Sequence, residues 1–252
     1  MPLPRAALEH LLRARRLDRT LTTALVTPDP QDDGAIAATD VTSLDAHLGG
    51  GFPRGQLSEL VGPRSSGRSS LLLQLIAAAT RRGELVALVD ALDMLDVESA
   101  ATAGIDLTRL LWIRGRVTLH AGLCRDLNQR AMEQAIRACA LVLQAGNFGL
   151  TVFDVAEAPT DAIRHLPFTT WLRLQRMVEG TQTACLLVGA EPMARSSAGL
   201  TIRLGHDRTR ATGGEPRFGS TLFEGLDFDA RVLRARARRE DDVRLALSTV
   251  AR

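Results

Sequence analysis

Apolar positions along most of the chain predict alternating strands and helices. Runs of four to seven mostly apolar residues, typical of parallel strands buried on both faces, recur at residues 56–61, 85–90, 110–113, 148–154 and 184–188. Segments with helical periodicity alternate with them, at residues 69–82, 130–145 and 171–179. This repetition predicts an α/β fold with a largely parallel central sheet flanked by helices. After Gly189 the runs shorten, which favours strands and loops that extend one edge of the sheet.

The N-terminal segment has a different pattern, that of an amphipathic helix on a linker. Its leucines lie at helical spacing with arginines between them, and five of them form the predicted partner-binding face: Leu8, Leu11, Leu12, Leu21 and Leu25. An acidic, proline-bearing stretch follows. The pattern divides the chain into an N-terminal helix (1–26), a linker (27–40) and a core domain (41–252). The helix packs either on its own core or on another protein.

The composition is that of a globular protein with one sizeable core. The net charge of +2 does not indicate a nucleic-acid binder, and no apolar run is long enough to span a membrane. No secretory signal is evident at Met1, so we expect a cytoplasmic protein. The three cysteines lack a CxxC spacing, and we interpret them as buried thiols, with no metal site.

Arginine supplies every basic side chain, because the sequence contains no lysine. The arginines are most concentrated near the C-terminus, and four of them are candidate DNA contacts: Arg195, Arg234, Arg236 and Arg238. The alternative is that Arg195 lies in a plain connecting loop and that the other three arginines lie on a solvated strand face.

One glycine-rich segment predicts a phosphate-binding loop. Residues Gly62 to Ser69 fit G-x-x-x-x-G-[K]-[ST] except at Arg68, and they follow a predicted strand and open a predicted helix. Gly62 and Gly67 allow backbone N–H groups to surround a phosphate, and the Ser69 hydroxyl is placed for Mg²⁺. Asp154 ends a buried strand, as the Mg²⁺-binding acid of such sites does. Arg68 is the exception, because guanidinium is longer and more planar than a lysine ammonium.

From Val41 onward the order of motifs resembles the RecA recombinase core. The lead-in S-L-D-A-H-L-G-G-G-F-P-R-G at 43–55 is similar to that family's S-L-D-x-x-L-G-x-G-[LF]-P-x-G. The loop at 62–69 resembles its G-P-E-S-S-G-K-T, and L-V-D-A-L-D-M-L-D at 88–96 resembles F-I-D-A-E-H-A-L-D. The resemblance covers roughly residues 41–204 and implies a RecA-type P-loop core.

The same resemblance implies that several functional positions are changed. The family's loop lysine falls on Arg68, its water-activating glutamate on Leu92 and its adenine-stacking tyrosine on Ser99. Its Asn–Gln pair, which senses the γ-phosphate, falls on Gly189 and Ala190. Three positions keep the family's residue type: Ser69, Asp96 and Asp154. Loss of a general base alone costs about 10²–10⁴-fold in rate. We therefore expect no catalytic residue and no resident cofactor, with weak binding of ATP and Mg²⁺ left open.

A degenerate RecA relative with an N-terminal helix resembles the ImuA family. That resemblance implies an accessory role in translesion synthesis and mutagenesis during the SOS response to DNA damage. The implied partners are RecA and a Y-family polymerase homologue, while self-association and weak contact with single-stranded DNA stay open. Two alternatives remain: an active DNA-dependent, recombinase-like ATPase with a variant loop, and a cell-division inhibitor of the SulA type.

Overall fold

The computed structural model describes residues 36–117, 125–205, 225–235 and 244–250, all within one compact unit that runs from Gly34 to Arg252. Six α-helices lie in these residues: α1 (Thr42–Leu48), α2 (Arg68–Arg81), α3 (Val97–Thr102), α4 (Arg125–Ala145), α5 (Thr160–Arg164) and α6 (Phe168–Val178). The strands described are β1 (Ile36–Ala37), β2 (Phe52–Pro53), β3 (Leu57–Val61), β4 (Val86–Asp90), β5 (Leu110–Arg114), β6 (Leu150–Asp154), β7 (Ala184–Gly189), β8 (Leu200–Gly205), β9 (Gly225–Ala235) and β10 (Arg244–Val250).

The central sheet is mostly parallel. Within the described residues it has eight strands in the order β10–β9–β8–β3–β7–β6–β4–β5. The strands from β8 to β5 run parallel to one another. The strands β9 and β10 are antiparallel and extend the β8 edge. The predicted α/β fold with a largely parallel central sheet is therefore confirmed, and the short runs after Gly189 form its antiparallel edge.

Helices cover both faces of the sheet, which explains why its strands read as continuous apolar runs. Every residue of β3, β4 and β7 is buried. On one face, Leu60 and Leu88 pack in a core cluster with Ile76 of α2. On the other, Phe153 packs with residues of α4 and α6, and its ring contacts that of Trp171 at a centroid distance of 6.3 Å.

The parallel register brings the carboxyl ends of the central strands to one edge of the sheet. Val61 of β3 lies opposite Gly189 of β7, and Asp90 of β4 lies opposite Asp154 of β6. The strands β3 and β7 are neighbours, but the chain leaves β3 toward β4 on one side and leaves β7 toward β8 on the other. Ligand crevices of α/β folds usually lie where such connections leave in opposite directions.

Several sequence predictions fall on residues that are not described. The leucines of the predicted N-terminal helix over 1–26 lie outside the described residues, as do Arg236 and Arg238. The predicted linker over 27–40 is described only from residue 36, where Ile36 and Ala37 pair with β2 and Thr39 is buried. The last residues of that segment therefore pack on the core. None of the helices in the described part of the chain has the length and apolar character needed to cross a bilayer.

Candidate functional site

A cleft of about 590 Å³ opens at the carboxyl edge of the sheet. It brings together residues that the sequence singled out in separate segments: Gly67, Arg68, Ser69, Leu92, Asp96, Ser99 and Asp154. Its polar lining comes mainly from the loop before α2 and from the segment after β6. Its apolar lining includes Leu72, Leu73, Leu88, Leu92, Met94 and Leu95.

The two glycines of the loop are required by backbone geometry. Gly67 precedes α2 with a φ of +83°, a left-handed conformation that favours glycine. A Cβ at Gly62 would lie 2.5 Å from the carbonyl oxygen of Leu204 and 2.6 Å from Oγ of Ser66. Gly62 therefore allows the loop to pack closely against β8, and this contact needs a glycine whether or not a phosphate is bound.

The side chain of Arg68 is turned into the protein. The residue is only 4% exposed. Its Nη1 donates to the carbonyl oxygen of Gly62 and, at 3.0 Å, to that of Gly189 at the end of β7, while Nη2 donates to Oε1 of Glu157 at 2.7 Å. A planar, forked guanidinium reaches carbonyl and carboxylate acceptors together, which a single ammonium group does not do in this way. The hydrogen bonds of Arg68 thus connect the loop, the end of β7 and the segment after β6.

Glu157 is a site residue that the sequence reasoning missed. Besides pairing with Arg68, its carboxylate accepts a hydrogen bond from Nε of Arg64, so one acid binds two guanidinium groups of the loop. Its side chain is 22% exposed and lines the cleft. The only signal in the sequence was an acidic residue three positions after Asp154, which is too common to single out.

Asp154 and Asp90 lie side by side at the ends of two adjacent strands. Oδ1 of Asp154 accepts from the N–H of Ala156 at 2.9 Å, and Asp154 lines the cleft. Desolvation raises the pKa of Asp154 to about 6, and the charges of Asp90 and Glu157 act in the same direction. The hydrogen bond from Ala156 and the charge of Arg68 oppose this rise in pKa.

Leu92, Asp96 and Ser99 also line the cleft. Leu92, the position onto which the resemblance carries the general base, is apolar and half-buried. Asp96 and Ser99 are engaged with each other, because the carboxylate of Asp96 caps α3 by accepting from the Ser99 N–H at 2.9 Å and from its hydroxyl. These hydrogen bonds lower the pKa of Asp96.

A second missed residue, Glu59, lies in the middle of the sheet. It is 1% exposed. Its Oε1 accepts from the N–H groups of Met193 and Ala194, both at 2.7 Å, and its Oε2 accepts from the hydroxyl of Thr201 at 2.8 Å. The signal was available, since an acid inside the apolar run 56–61 must find partners when that strand is buried. Glu59 anchors the loop that follows β7.

Two of the four predicted DNA contacts are described, and they lie together. Arg195 is exposed, has a φ of +49°, and places its guanidinium 5.9 Å from the ring centroid of Phe168. Arg234 of β9 donates to the backbone carbonyl of Arg195. The fold thus joins two of these arginines, although they are far apart in the sequence.

Comparison with known proteins identifies the domain. A family model described as the RecA N-terminal domain matches residues 25–119. The chain is 46% identical over 74 residues to the protein RecA of Synechococcus sp. (strain WH7803), covering 29% of this chain and 19% of that protein. It is 34% identical over 125 residues to the protein RecA of Clavibacter michiganensis subsp. michiganensis (strain NCPPB 382), covering 49% of this chain and 31% of that protein. The chain contains a RecA-like domain.

The RecA-like domain also agrees with a solved fold. The crystal structure of the RadB recombinase superposes with a TM-score of 0.58 at 19% identity, covering 84% of this chain and 94% of that one. The matches to the RecA proteins span between about a fifth and a third of those proteins' length. The similarity to RecA proteins therefore covers one domain, and the solved structure shows that the fold is of the same type.

ATP and Mg²⁺, which a RecA-like domain implies, fit these residues only in part. Ser69 is exposed and lines the cleft, and Asp154 faces it from the end of β6, as magnesium binding requires. The guanidinium of Arg68, however, is held by two carbonyl groups and Glu157. Among the described residues, the cleft lacks both an uncommitted cation over the loop and a general base at Leu92.

Proposed function

We propose that this chain is a non-catalytic RecA-like accessory protein of DNA-damage-induced translesion synthesis, working in the cytoplasm through RecA, a Y-family polymerase homologue, or both. The observation that carries the proposal is the position of Arg68. Its guanidinium binds the carbonyl groups of Gly62 and Gly189 and the carboxylate of Glu157. The group that should bridge two phosphates is instead part of the protein's own internal structure.

The chemistry of phosphoryl transfer supports this interpretation. Hydrolysis by P-loop ATPases needs a cation against the β- and γ-phosphates and a group that orients the attacking water. The resemblance carries those positions onto Arg68, whose guanidinium binds Gly189 and Glu157, and onto Leu92, which has no acid or base group. The sheet retains two apolar clusters, one on each face. A domain that keeps its fold while its site changes in this way is suited to binding other proteins.

The first test is phosphate release. With Mg-ATP and single-stranded DNA, we expect the wild-type chain to release phosphate at least about 10²-fold more slowly than RecA, because the loop cation and the general base are both lost. Ser69→Ala and Asp154→Ala should not change this background rate. Robust hydrolysis that disappears in both variants would establish the second candidate, an active DNA-dependent ATPase, which the retention of Ser69 and Asp154 favours.

The second test concerns the partner. Removing residues 1–26 should abolish capture of purified RecA or of the Y-family polymerase homologue, since the apolar face at Leu8, Leu11 and Leu12 is the predicted contact. The matched control is Leu141→Ala, because this leucine of α4 is 67% exposed and lies outside that segment. Undiminished capture by the shortened chain would contradict this role of the N-terminal segment. Capture of FtsZ in place of both partners would favour the cell-division inhibitor.

A further inference from the structure

The phosphate loop already holds an anion, which is the carboxylate of Glu157. Its Oε1 accepts from Nη2 of Arg68 at 2.7 Å, and its Oε2 accepts from Nε of Arg64. The two arginines are the basic residues of the loop itself. We propose that Glu157 is a built-in carboxylate ligand of this loop, which occupies its guanidinium groups and thereby excludes the phosphates of a nucleotide. This inference rests on the proposed function, since it explains why the loop is not a working ATP site.

The first step is the direction of Arg68. Two carbonyl oxygens, of Gly62 and Gly189, fix its Nη1, and only 5% of its side chain is exposed. The remaining terminal nitrogen, Nη2, therefore points to Glu157. Glu157 takes an N–H of Nη2, and its negative charge offsets the positive charge of the guanidinium, so that Arg68 in this position attracts a phosphate less.

The second step is the position of Glu157. It follows the turn in which the Ala156 N–H binds the carboxylate of Asp154, so the backbone beneath it is tied to the end of β6. The side chain lines the same cleft as Ser69, the residue placed to meet Mg²⁺. A carboxylate held there competes with phosphate for the same charge-assisted donors.

The third step is the charge that a nucleotide would meet. Four acids line the cleft: Asp90, Asp96, Asp154 and Glu157. The backbone of the loop has not lost its capacity for an anion, since the first N–H groups of α2 have no intrahelical partner and Gly67 provides no side-chain cap. Removing the charge of Glu157 should therefore release both arginines and unmask an anion-binding loop.

The test is calorimetric titration of Mg-ATP into wild type and Glu157→Gln. Glutamine keeps an oxygen that accepts from Arg68 but removes the negative charge. We expect a Kd at least tenfold smaller in the variant, equivalent to about 1.4 kcal/mol. Adenosine, which has no phosphate, should bind both proteins equally. Glu179→Gln is the matched control, because Glu179 is an exposed acid outside the cleft, and its Kd should equal that of wild type.

A second variant covers the case in which the glutamine of Glu157→Gln still holds the Arg68 guanidinium in place. In Arg68→Lys combined with Glu157→Gln, a compact ammonium replaces the tied guanidinium, and Mg-ATP should bind at least as tightly as in the single variant. Both variants should unfold at the same temperature as wild type. If their Kd values for Mg-ATP are then unchanged and the wild-type chain does not hydrolyse ATP, the role of Glu157 is overturned while the proposed function stands. Hydrolysis by wild type would overturn the proposed function instead.

Discussion

Replacing Glu59 with alanine is expected to lower the free energy of unfolding by about 4 kcal/mol. The substitution leaves the N–H groups of Met193 and Ala194 and the hydroxyl of Thr201 without their acceptor in a buried place. Each unsatisfied buried donor costs about 1–3 kcal/mol, and the lost side chain adds a cavity. Urea unfolding followed by the fluorescence of the two tryptophans would measure the loss.

The matched variants separate the hydrogen bonds from the charge. Glu59→Gln keeps an oxygen for both N–H groups, and the hydroxyl of Thr201 can turn to accept from the new amide, so we expect a loss of about 1 kcal/mol or less. Glu179→Ala changes an exposed glutamate and should lie within about 0.5 kcal/mol of wild type. A loss below about 1 kcal/mol in Glu59→Ala would show that the anchored loop is not coupled to the sheet.

Glu59 also shows how the site depends on the core. It lies on β3, the strand that leads into the phosphate loop, and its hydrogen bonds hold the segment after β7. The carbonyl of Gly189, at the end of β7, is in turn an acceptor of Arg68. One buried carboxylate and one buried guanidinium therefore fix the same loop connection from two sides.

The apolar pattern predicted most of the sheet because each central strand is buried on both faces. The runs at 85–90 and 184–188 lie on the observed strands to within one residue at an end. The helix predicted over 130–145 begins earlier, at Arg125, because its first residues, R-D-L-N-Q, are mostly polar and weaken the apolar period there. Short elements such as α1 and the pair β1–β2 have too few residues to show any period.

The chemistry of the cleft was less predictable than its location. The motif pointed to Arg68 as a departure, but the acceptors of its guanidinium are the backbone oxygens of Gly62 and Gly189 and the carboxylate of Glu157. Backbone carbonyls have no sequence signature, and Glu157 comes from a segment 89 positions away. Only the three-dimensional register reveals that the substituted residue has found a structural role.

The loop glycines illustrate why a glycine-rich loop motif is weak evidence of activity. Gly62 avoids a collision with the carbonyl oxygen of Leu204, and Gly67 adopts a left-handed conformation at the start of α2. Both requirements come from packing and helix geometry. A chain that has lost nucleotide turnover would still need both glycines to fold.

Asparagine in place of Asp154 is expected to stabilise the protein by about 2 kcal/mol at pH 8 and by little at pH 4. Desolvation raises the pKa of Asp154 to about 6 from an ordinary value of 3.8. Above pH 6 the carboxyl is charged in the folded and in the unfolded chain, and burial disfavours the charge in the folded chain. Below about pH 4 the carboxyl is neutral in both. Wild-type stability from this group therefore falls as the pH rises from about 4 to 6. The full difference corresponds to about 3 kcal/mol, which partial exposure reduces.

The comparison is made by urea unfolding at several pH values, with Asp161→Asn as the matched control. Asp161 is an exposed acid outside the cleft, so its variant should show no such dependence on pH. Asparagine at 154 keeps an oxygen for the Ala156 N–H, so that the variant tests the charge and not the turn. A stabilised variant at high pH would show that the buried charge of Asp154 lowers the stability of the folded chain. Equal stability at every pH would mean that Arg68 compensates the charge, and Asp154 would then belong to the same internal network as Glu157.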